Sequence, residues 1–386
     1  MVRRLRLGMV GGGEGAFIGA VHRAAARLAD RYELVAGAFS ADSEKSKRSG
    51  QALGLPAERV YADFATMAAA ESARGDGVEA VSIVVPNDLH FVVAVAFLRA
   101  GIDVICDKPL TATLTEARAL ETIVAQTGRL LILTHNYAGY PMVREARARV
   151  ASGKIGDLRL VQVEYAQDWL TDALETRENK QALWRTDPGK GGAGGCLADI
   201  GTHAHHLACY VAGKPVVKVS ADLSTFVRGR RVPDNAHVMM RFADGARGMM
   251  WISQVAPGNR NALRLRVYGS TGGLVWEQEE PERLVLLHAG CPDTTLWRGL
   301  SGLDAAAERA SRLPTGHPEG YLEAFAACYA DAAELILARR EGWAPPTRST
   351  SMAGVEEGVA GLAFIESSLA SSANGSAWTD VVGSVD

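Results

Sequence analysis

The stretch Leu5-Arg6-Leu7-Gly8-Met9-Val10-Gly11-Gly12-Gly13-Glu14-Gly15-Ala16 decides the fold. A short apolar run ends in glycines and passes into an alanine-rich segment of helical length. Glycines at the end of a first strand let the backbone approach a pyrophosphate, and the N-terminus of the next helix favours its charge. The spacing Gly11-x-Gly13-x-x-Ala16 matches the dinucleotide-binding pattern literally. The alternation then continues. Residues 32–39, 80–85, 103–106 and 130–133 read as further buried strands, separated by helical patterns, so residues 1–137 form a doubly wound parallel sheet of Rossmann type.

From about residue 158 the texture changes. Residues 158–168, 216–226, 236–242, 248–254, 263–269 and 284–287 are strand-like, with turn residues between them. Strands in such succession make an α/β domain over residues 138–386 with a large, mostly antiparallel open sheet. Residues 318–340 and 351–370 read as helices. A chain of 386 residues suits two domains, because single cores rarely grow past about 250–300 residues. Val161, Val163 and Tyr165 alternate with Leu160 and Gln162, so both faces of that strand carry apolar groups. A sheet with helices on one side leaves the other needing cover, which predicts a homodimer or homotetramer.

The 41 basic and 44 acidic residues nearly cancel, which argues against a nucleic-acid partner. Cys106, Cys196, Cys209, Cys291 and Cys328 are scattered, odd in number and free of Cys-x-x-Cys pairs. That pattern fits reduced cytoplasmic thiols better than a disulfide scaffold. The start, Met1-Val2-Arg3-Arg4-Leu5, superficially suggests a signal peptide, but its apolar stretch is too short and runs straight into glycines. No window of about 18 apolar residues suggests a membrane span.

A second constellation carries the chemistry. Gly192-Ala193-Gly194-Gly195-Cys196-Leu197-Ala198-Asp199-Ile200-Gly201-Thr202-His203 places Asp199 and His203 four apart. On a helix, positions i and i+4 share one face about 5–6 Å apart. Asp107-Lys108-Pro109 follows an apolar strand, where ligand crevices form in open α/β sheets. A lysine, an imidazole and a carboxylate make a proton-handling set, and a nucleotide-binding N-terminus points it toward hydride transfer. Pro86-Asn87-Asp88-Leu89-His90 also follows a strand end; it is either a plain turn and helix cap or a loop under the nicotinamide half of a cofactor. Ser40 occupies the position that selects between NAD and NADP, with Asp42 slightly late and Lys45 and Arg48 beyond it. The choice between the two cofactors stays open. His203, His205 and His206 lack a second ligand cluster of familiar spacing, so no metal is expected. Trp169 and Trp184-Arg185 suit either core packing or stacking against a sugar ring.

In this order the motifs resemble the Gfo/Idh/MocA oxidoreductases, named for glucose–fructose oxidoreductase and inositol dehydrogenase. The resemblance runs through the glycine loop, Pro86-Asn87-x-x-His90, Asp107-Lys108-Pro109, Trp184-Arg185-x-Asp187-Pro188 and Asp199-Ile200-Gly201-Thr202-His203. It implies NAD(P)-dependent oxidation of a secondary alcohol in a polyhydroxylated small molecule: a sugar, cyclitol or glycoside. It implies that Lys108 hydrogen-bonds the reacting oxygen, His203 exchanges its proton and Asp199 supports them. Gly11, Gly13, Gly15, Ala16, Phe17, Ile18, Ser40, Pro86, Asn87, His90, Asp107 and Lys108 then hold the cofactor. Lys108, Asn136, Tyr137, Trp169, Arg185, Asp199 and His203 meet the substrate. Two departures stand out. Glu14 to Phe17 delay the element Ile18-Gly19-Ala20-Val21-His22, and His206 stands where relatives often carry Asp or Asn. Rival readings are an NAD-using glycosidase or epimerase with transient oxidation, and a cofactor-binding sensor without turnover.

Overall fold

The computed structural model describes residues 3–177, 179–345 and 352–382. Met1, Val2 and Ser351, at the edges of two expected segments, lie outside the described residues. The chain divides into two compact units, Met1–Asn136 with Tyr321–Val359, and Tyr137–Gly320 with Ala360–Asp386.

In the first unit, β1 (Leu5–Gly11), β2 (Tyr32–Ala38), β3 (Ala80–Val84), β4 (Asp103–Cys106) and β5 (Leu131–Leu133) form a parallel sheet in the order β2-β1-β3-β4-β5. Residues of β3, β4 and β5 are buried throughout, as continuous apolar runs must be when helices cover both faces. The connecting helices are α1 (Phe17–Ala29), α2 (Ser43–Ala52), α3 (Phe64–Ser72), α4 (Asn87–Arg99) and α5 (Leu114–Thr127). Their ends follow local chemistry. Asp42, Asp63 and Thr113 accept backbone N–H groups at the starts of α2, α3 and α5, and Gly128 closes α5 in the left-handed conformation. Among the described residues, a single parallel bridge, Gly37 to Val60, is all that forms on the outer side of β2. Strand order reverses at β1, between β2 and β3, and such switch points open the ligand crevices of α/β sheets.

The sequence reading placed everything beyond residue 138 in the second domain. The helix Tyr321–Glu341 instead belongs to the first unit. Phe325, Tyr329, Ala333 and Ile336 share a buried cluster with Val21, Ala25 and Ala29 of α1, and Tyr32 Oη donates to the Tyr329 carbonyl at 2.9 Å. The alanine-rich face of α1 explains the docking. Small side chains allow two helices to approach closely, a complementarity that exists only between distant segments.

The second unit is built on β6 (Leu158–Ala166), β7 (Val216–Ser224), β8 (Asn235–Phe242), β9 (Arg247–Ser253), β10 (Ala262–Gly269), β11 (Gly272–Glu277), β12 (Arg283–His288), β13 (Thr294–Trp297) and β14 (Thr379–Asp380). Their order is β13-β12-β11-β10-β6-β9-β8-β7-β14, antiparallel except for the β6–β9 pair. Three strands escaped the sequence reading: β11 opens on two glycines, β13 is a polar, largely exposed edge, and β14 is two residues long. Val161, Val163 and Tyr165 are buried on one face, whereas Leu160, Met239 and Met249 are each more than half exposed on the other. No helix among the described residues is long and apolar enough to cross a membrane.

If the helix Tyr321–Glu341 is integral to the first core, Ile336→Ala should cost about 2–5 kcal/mol, as for other large-to-small core changes. The measurement is the urea midpoint; an unshifted midpoint would remove the helix from that core.

Candidate active site

Five strand ends of the parallel sheet supply the first group of residues. After β1, Gly11 and Gly12 take positive φ (82° and 71°), which side chains resist. A Cβ on Gly12 would lie 2.8 Å from the Gly19 Cα, and one on Gly19 would lie 2.3 Å from the Gly12 Cα. The loop therefore touches α1 backbone to backbone. Gly13 is equally tight: its N–H donates to the Phe39 carbonyl at 3.2 Å, and a Cβ there would meet that oxygen at 2.7 Å. Gly15 has positive φ and open space around it. Ala16 precedes α1 without a side-chain cap hydrogen bond. Phe17 is exposed and Ile18 packs toward the core.

These features fit a dinucleotide. The backbone at Gly15 is open to close approach, and the uncapped start of α1 offers N–H groups and a positive dipole end to a pyrophosphate. The sequence pattern Gly11-x-Gly13-x-x-Ala16 did not include Gly12 or Gly19, which make the close contact between loop and helix. The four-residue delay caused by Glu14 to Phe17 moves the contact one turn into the helix. Gly12, Gly19 and His22 were thus absent from the expected set, although Ile18-Gly19-x-x-His22 was visible as a motif.

After β2, Ser40 Oγ accepts the Asp42 N–H at 3.2 Å. The Asp42 carboxylate caps α2 through Lys45 N–H at 3.0 Å, and that bond holds its carboxyl below the usual carboxylate range. Arg48 lies 4.0 Å from Glu14 of the glycine loop. After β3, Pro86 precedes α4, Asn87 opens it, and His90 is buried in its first turns. His90 Nδ1 lies 2.7 Å from the Pro109 carbonyl and Nε2 lies 3.0 Å from the Val85 carbonyl. Its imidazole thus ties the β3 end to the segment after β4. Burial lowers its pKa, against the opposing pull of Asp107 and the two carbonyls.

After β4 come Asp107 and half-buried Lys108, whose peptide bond to Pro109 is cis. Asp107 Oδ1 accepts from Thr134 Oγ1 at 3.0 Å. After β5, Asn136 is 1% exposed, and both polar atoms of its side-chain amide lack hydrogen-bond partners. Each such buried group costs about 1–3 kcal/mol unless something satisfies it.

Tyr137, Trp169, Arg185, Asp199 and His203 lie in the second unit, which is compact by itself. Asp199 lies in a π-helical turn, Leu197–Gly201, that leads into the α-helix Thr202–Ala212. The i, i+4 spacing therefore spans a junction and not a uniform α-helix as expected. Gly195, with φ of 50°, packs so closely on Pro233 that the chain enters the turn constrained. Asp199 Oδ2 accepts from Arg185 Nε at 3.2 Å and from Gln254 Nε2 at 2.9 Å. The Arg185 guanidinium lies over the Trp184 ring at 4.1 Å and the Trp169 ring at 5.9 Å, so these tryptophans first serve to hold an arginine. Trp169 Nε1 donates to Gln167 Oε1 at 3.0 Å, and Gln167 Nε2 donates to Asn261 Oδ1 at 2.8 Å. Tyr165 Oη donates to the same oxygen at 2.7 Å and lies 2.5 Å from Tyr137 Oη. The Tyr137 ring meets the His203 imidazole edge-on, with centroids 4.8 Å apart. Burial raises the Tyr137 pKa, and the Asp199 charge adds to the effect.

Tyr165, Gln167, Gln254 and Asn261 were not anticipated. Gln167 and Gln254 follow the ends of β6 and β9, where polar residues succeed an alternating run, and that was the available signal. His205 stacks on Phe364 at 4.3 Å and His206 stacks on Tyr210 at 5.8 Å. Burial drives their pKa values down to about 4 and about 3, so both are neutral near pH 7. Among the described residues no group of three or more His, Cys, Asp or Glu could hold a metal ion.

Residues 5–135 match the "Oxidoreductase family, NAD-binding Rossmann fold", and residues 143–275 match the "GFO/IDH/MocA C-terminal domain". An uncharacterized oxidoreductase, YfiI, of Bacillus subtilis strain 168 is 34% identical over 97% of this chain and 96% of its own length. The chain belongs to the Gfo/Idh/MocA oxidoreductases. A crystal structure of an oxidoreductase from Sinorhizobium meliloti shares 48% identity, covers 98% of this chain and 99% of its own, and superposes with a TM-score of 0.88. An inositol dehydrogenase homolog from Azotobacter vinelandii, complexed with NAD+, shares 34% identity over 98% of both chains, with a TM-score of 0.92. A second structure of that homolog, 33% identical with a TM-score of 0.90 over 98% of both chains, holds NADH and myo-inositol. This family membership identifies the first unit as the NAD-binding domain of an oxidoreductase.

Because the Gly12–Gly19 contact leaves no room for a methyl group, Gly19→Ala should displace α1 and weaken NAD+ binding by roughly tenfold, the equivalent of a modest overpacking cost. Isothermal titration with NAD+, beside a circular dichroism spectrum that reports folding, checks it. Unchanged affinity would mean that the contact does not set the phosphate loop.

Proposed function

We propose that this protein oxidises a secondary alcohol of a polyhydroxylated small molecule, a sugar, cyclitol or glycoside, or reduces the matching ketone, with NAD or NADP. The observation that carries the reading is the held carboxylate of Asp199, fixed by Arg185 and Gln254 within the turn that leads to His203. An acid pinned by two donors is preorganised, and an imidazole titrates near working pH. Lys108 hydrogen-bonds the reacting oxygen and steadies developing alkoxide charge, His203 takes the hydroxyl proton, and Asp199 supports the charge that forms. The nicotinamide, when bound, accepts or donates the hydride. Asn136, with two unmet polar atoms, Tyr137, Trp169 and Arg185 supply hydrogen bonds and ring faces to the remaining hydroxyls. The myo-inositol bound to the Azotobacter vinelandii homolog supports this class. The free, mostly buried cysteines support a cytoplasmic location.

We also propose that the open face of the second sheet, with Leu160, Met239 and Met249 exposed at its centre, pairs with a second copy to give a homodimer or homotetramer.

Four measurements follow. A panel of sugars and cyclitols with both cofactors, read by absorbance of the reduced nicotinamide, should find a substrate; a protein that binds cofactor but turns over none of them would be a sensor. Lys108→Ala should leave cofactor binding nearly intact and lower turnover by about 10² or more. His203→Ala should lose about 10²–10⁴ in rate and the pH dependence of the imidazole range; profiles that superimpose on wild type would give the proton to another group. Light scattering at low micromolar concentration should report a multiple of 41.0 kDa. A mass that stays at one chain would contradict the assembly.

A further inference from the structure

His22, Ser82 and Tyr329 meet inside the first unit from α1, β3 and the helix Tyr321–Glu341, and all three are fully buried. His22 Nδ1 lies 2.9 Å from Tyr329 Oη and 3.2 Å from Ser82 Oγ, and the two hydroxyl oxygens are 2.8 Å apart. The other ring nitrogen, Nε2, is buried without a hydrogen-bond partner. It faces Asp107 Oδ1 at 3.7 Å. Phe325 packs against the ring at 5.1 Å and fixes its plane.

Proton accounting chooses the tautomer. If Nδ1 accepts, both hydroxyl protons are used within the triangle: one hydroxyl donates to Nδ1 and the other to its fellow oxygen. Nε2–H then points at a carboxylate. If Nδ1 carries the proton, one buried hydroxyl loses its acceptor and an Nε2 lone pair faces the Asp107 oxygen, both unfavourable. Burial alone would raise the Asp107 carboxyl, but His22, Lys108 and His90 together outweigh it, and the group is held below the usual carboxylate range.

We propose that His22 is a positioning residue: clamped by Tyr329 and Ser82, it presents Nε2–H to Asp107 and so sets the carboxylate that adjoins Lys108. The inference rests on the reading that Lys108 meets the reacting oxygen. It gives the helix Tyr321–Glu341, distant in sequence, a part in orienting the reaction. Asp107, faced by His22 on one side and hydrogen-bonded by Thr134 on the other, is drawn away from the Lys108 ammonium, which stays available to the substrate oxygen.

Two measurements test it on the full-length protein. Nitrogen-15 spectra of histidine-labelled wild type should show His22, assigned by its loss in a His22→Gln variant, with a proton on Nε2. The Nδ1–H tautomer would overturn the proposal, whatever the substrate proves to be. With NAD+ and myo-inositol as the probes, His22→Leu should lower kcat about tenfold with KM and NAD+ affinity within about twofold. His22→Gln, which keeps a donor toward Asp107 and an acceptor toward Tyr329, should recover most of that loss. If His22→Leu does not fold, Tyr329→Phe, which frees one corner of the clamp, should lower kcat in the same pattern to a smaller extent. Equal kcat in wild type and every folded variant overturns the proposal. Absence of wild-type turnover on the whole polyol panel counts instead against the function proposed above, and the tautomer then decides this inference by itself.

Discussion

The contact between Gly12 and Gly19 is the constraint on which the first unit depends. Two backbones touch because neither residue has a Cβ, and that contact fixes both the height and the direction of α1 over the sheet. With α1 seated there, its N-terminal end lies beside the glycine loop. Its alanine face, Ala25, Ala26 and Ala29, receives the helix Tyr321–Glu341. His22, one turn after Gly19, then points inward to Tyr329, Ser82 and Asp107. A cofactor cradle, a core and a buried polar cluster all follow from one close approach.

The second unit works by a different rule. Its site residues are held by side-chain hydrogen bonds, not by backbone geometry. Asp199 is fixed by Arg185 and Gln254, Arg185 rests on Trp184 and Trp169, and Trp169 is tied through Gln167 and Asn261 to Tyr165 and Tyr137. Satisfied polar networks of this kind rigidify their members, because a displaced residue leaves a partner unmet. The π-helical turn adds a local device: it interrupts the regular ladder where the carboxylate must face the network, and such bulges recur at functional sites. The neutral, stacked His205 and His206 leave His203 as the imidazole of that segment placed beside the tyrosines.

Much of this was legible in the sequence because it is local. Buried parallel strands announce themselves as apolar runs, and β1 to β5 stand within one or two residues of their expected bounds. The alternating strands β6 to β10 were visible by period, and the ordered motifs from Gly11 to His203 marked the family. What was missed is non-local or weakly patterned. Gln254 and Asn261 carry no motif, and strands β11 and β13 have glycine or polar residues where a pattern would need apolar ones.

The sequence by itself determined the two kinds of sheet and the glycine loop that follows β1, since each depends on residue type and short-range spacing. Only the tertiary structure decided that Gly12 and Gly19 seat the helix, that Tyr321–Glu341 joins the first unit, and that His22 faces Asp107. Those outcomes depend on how closely segments as many as 300 residues apart can pack, and packing is a property of facing surfaces that no single stretch of chain contains.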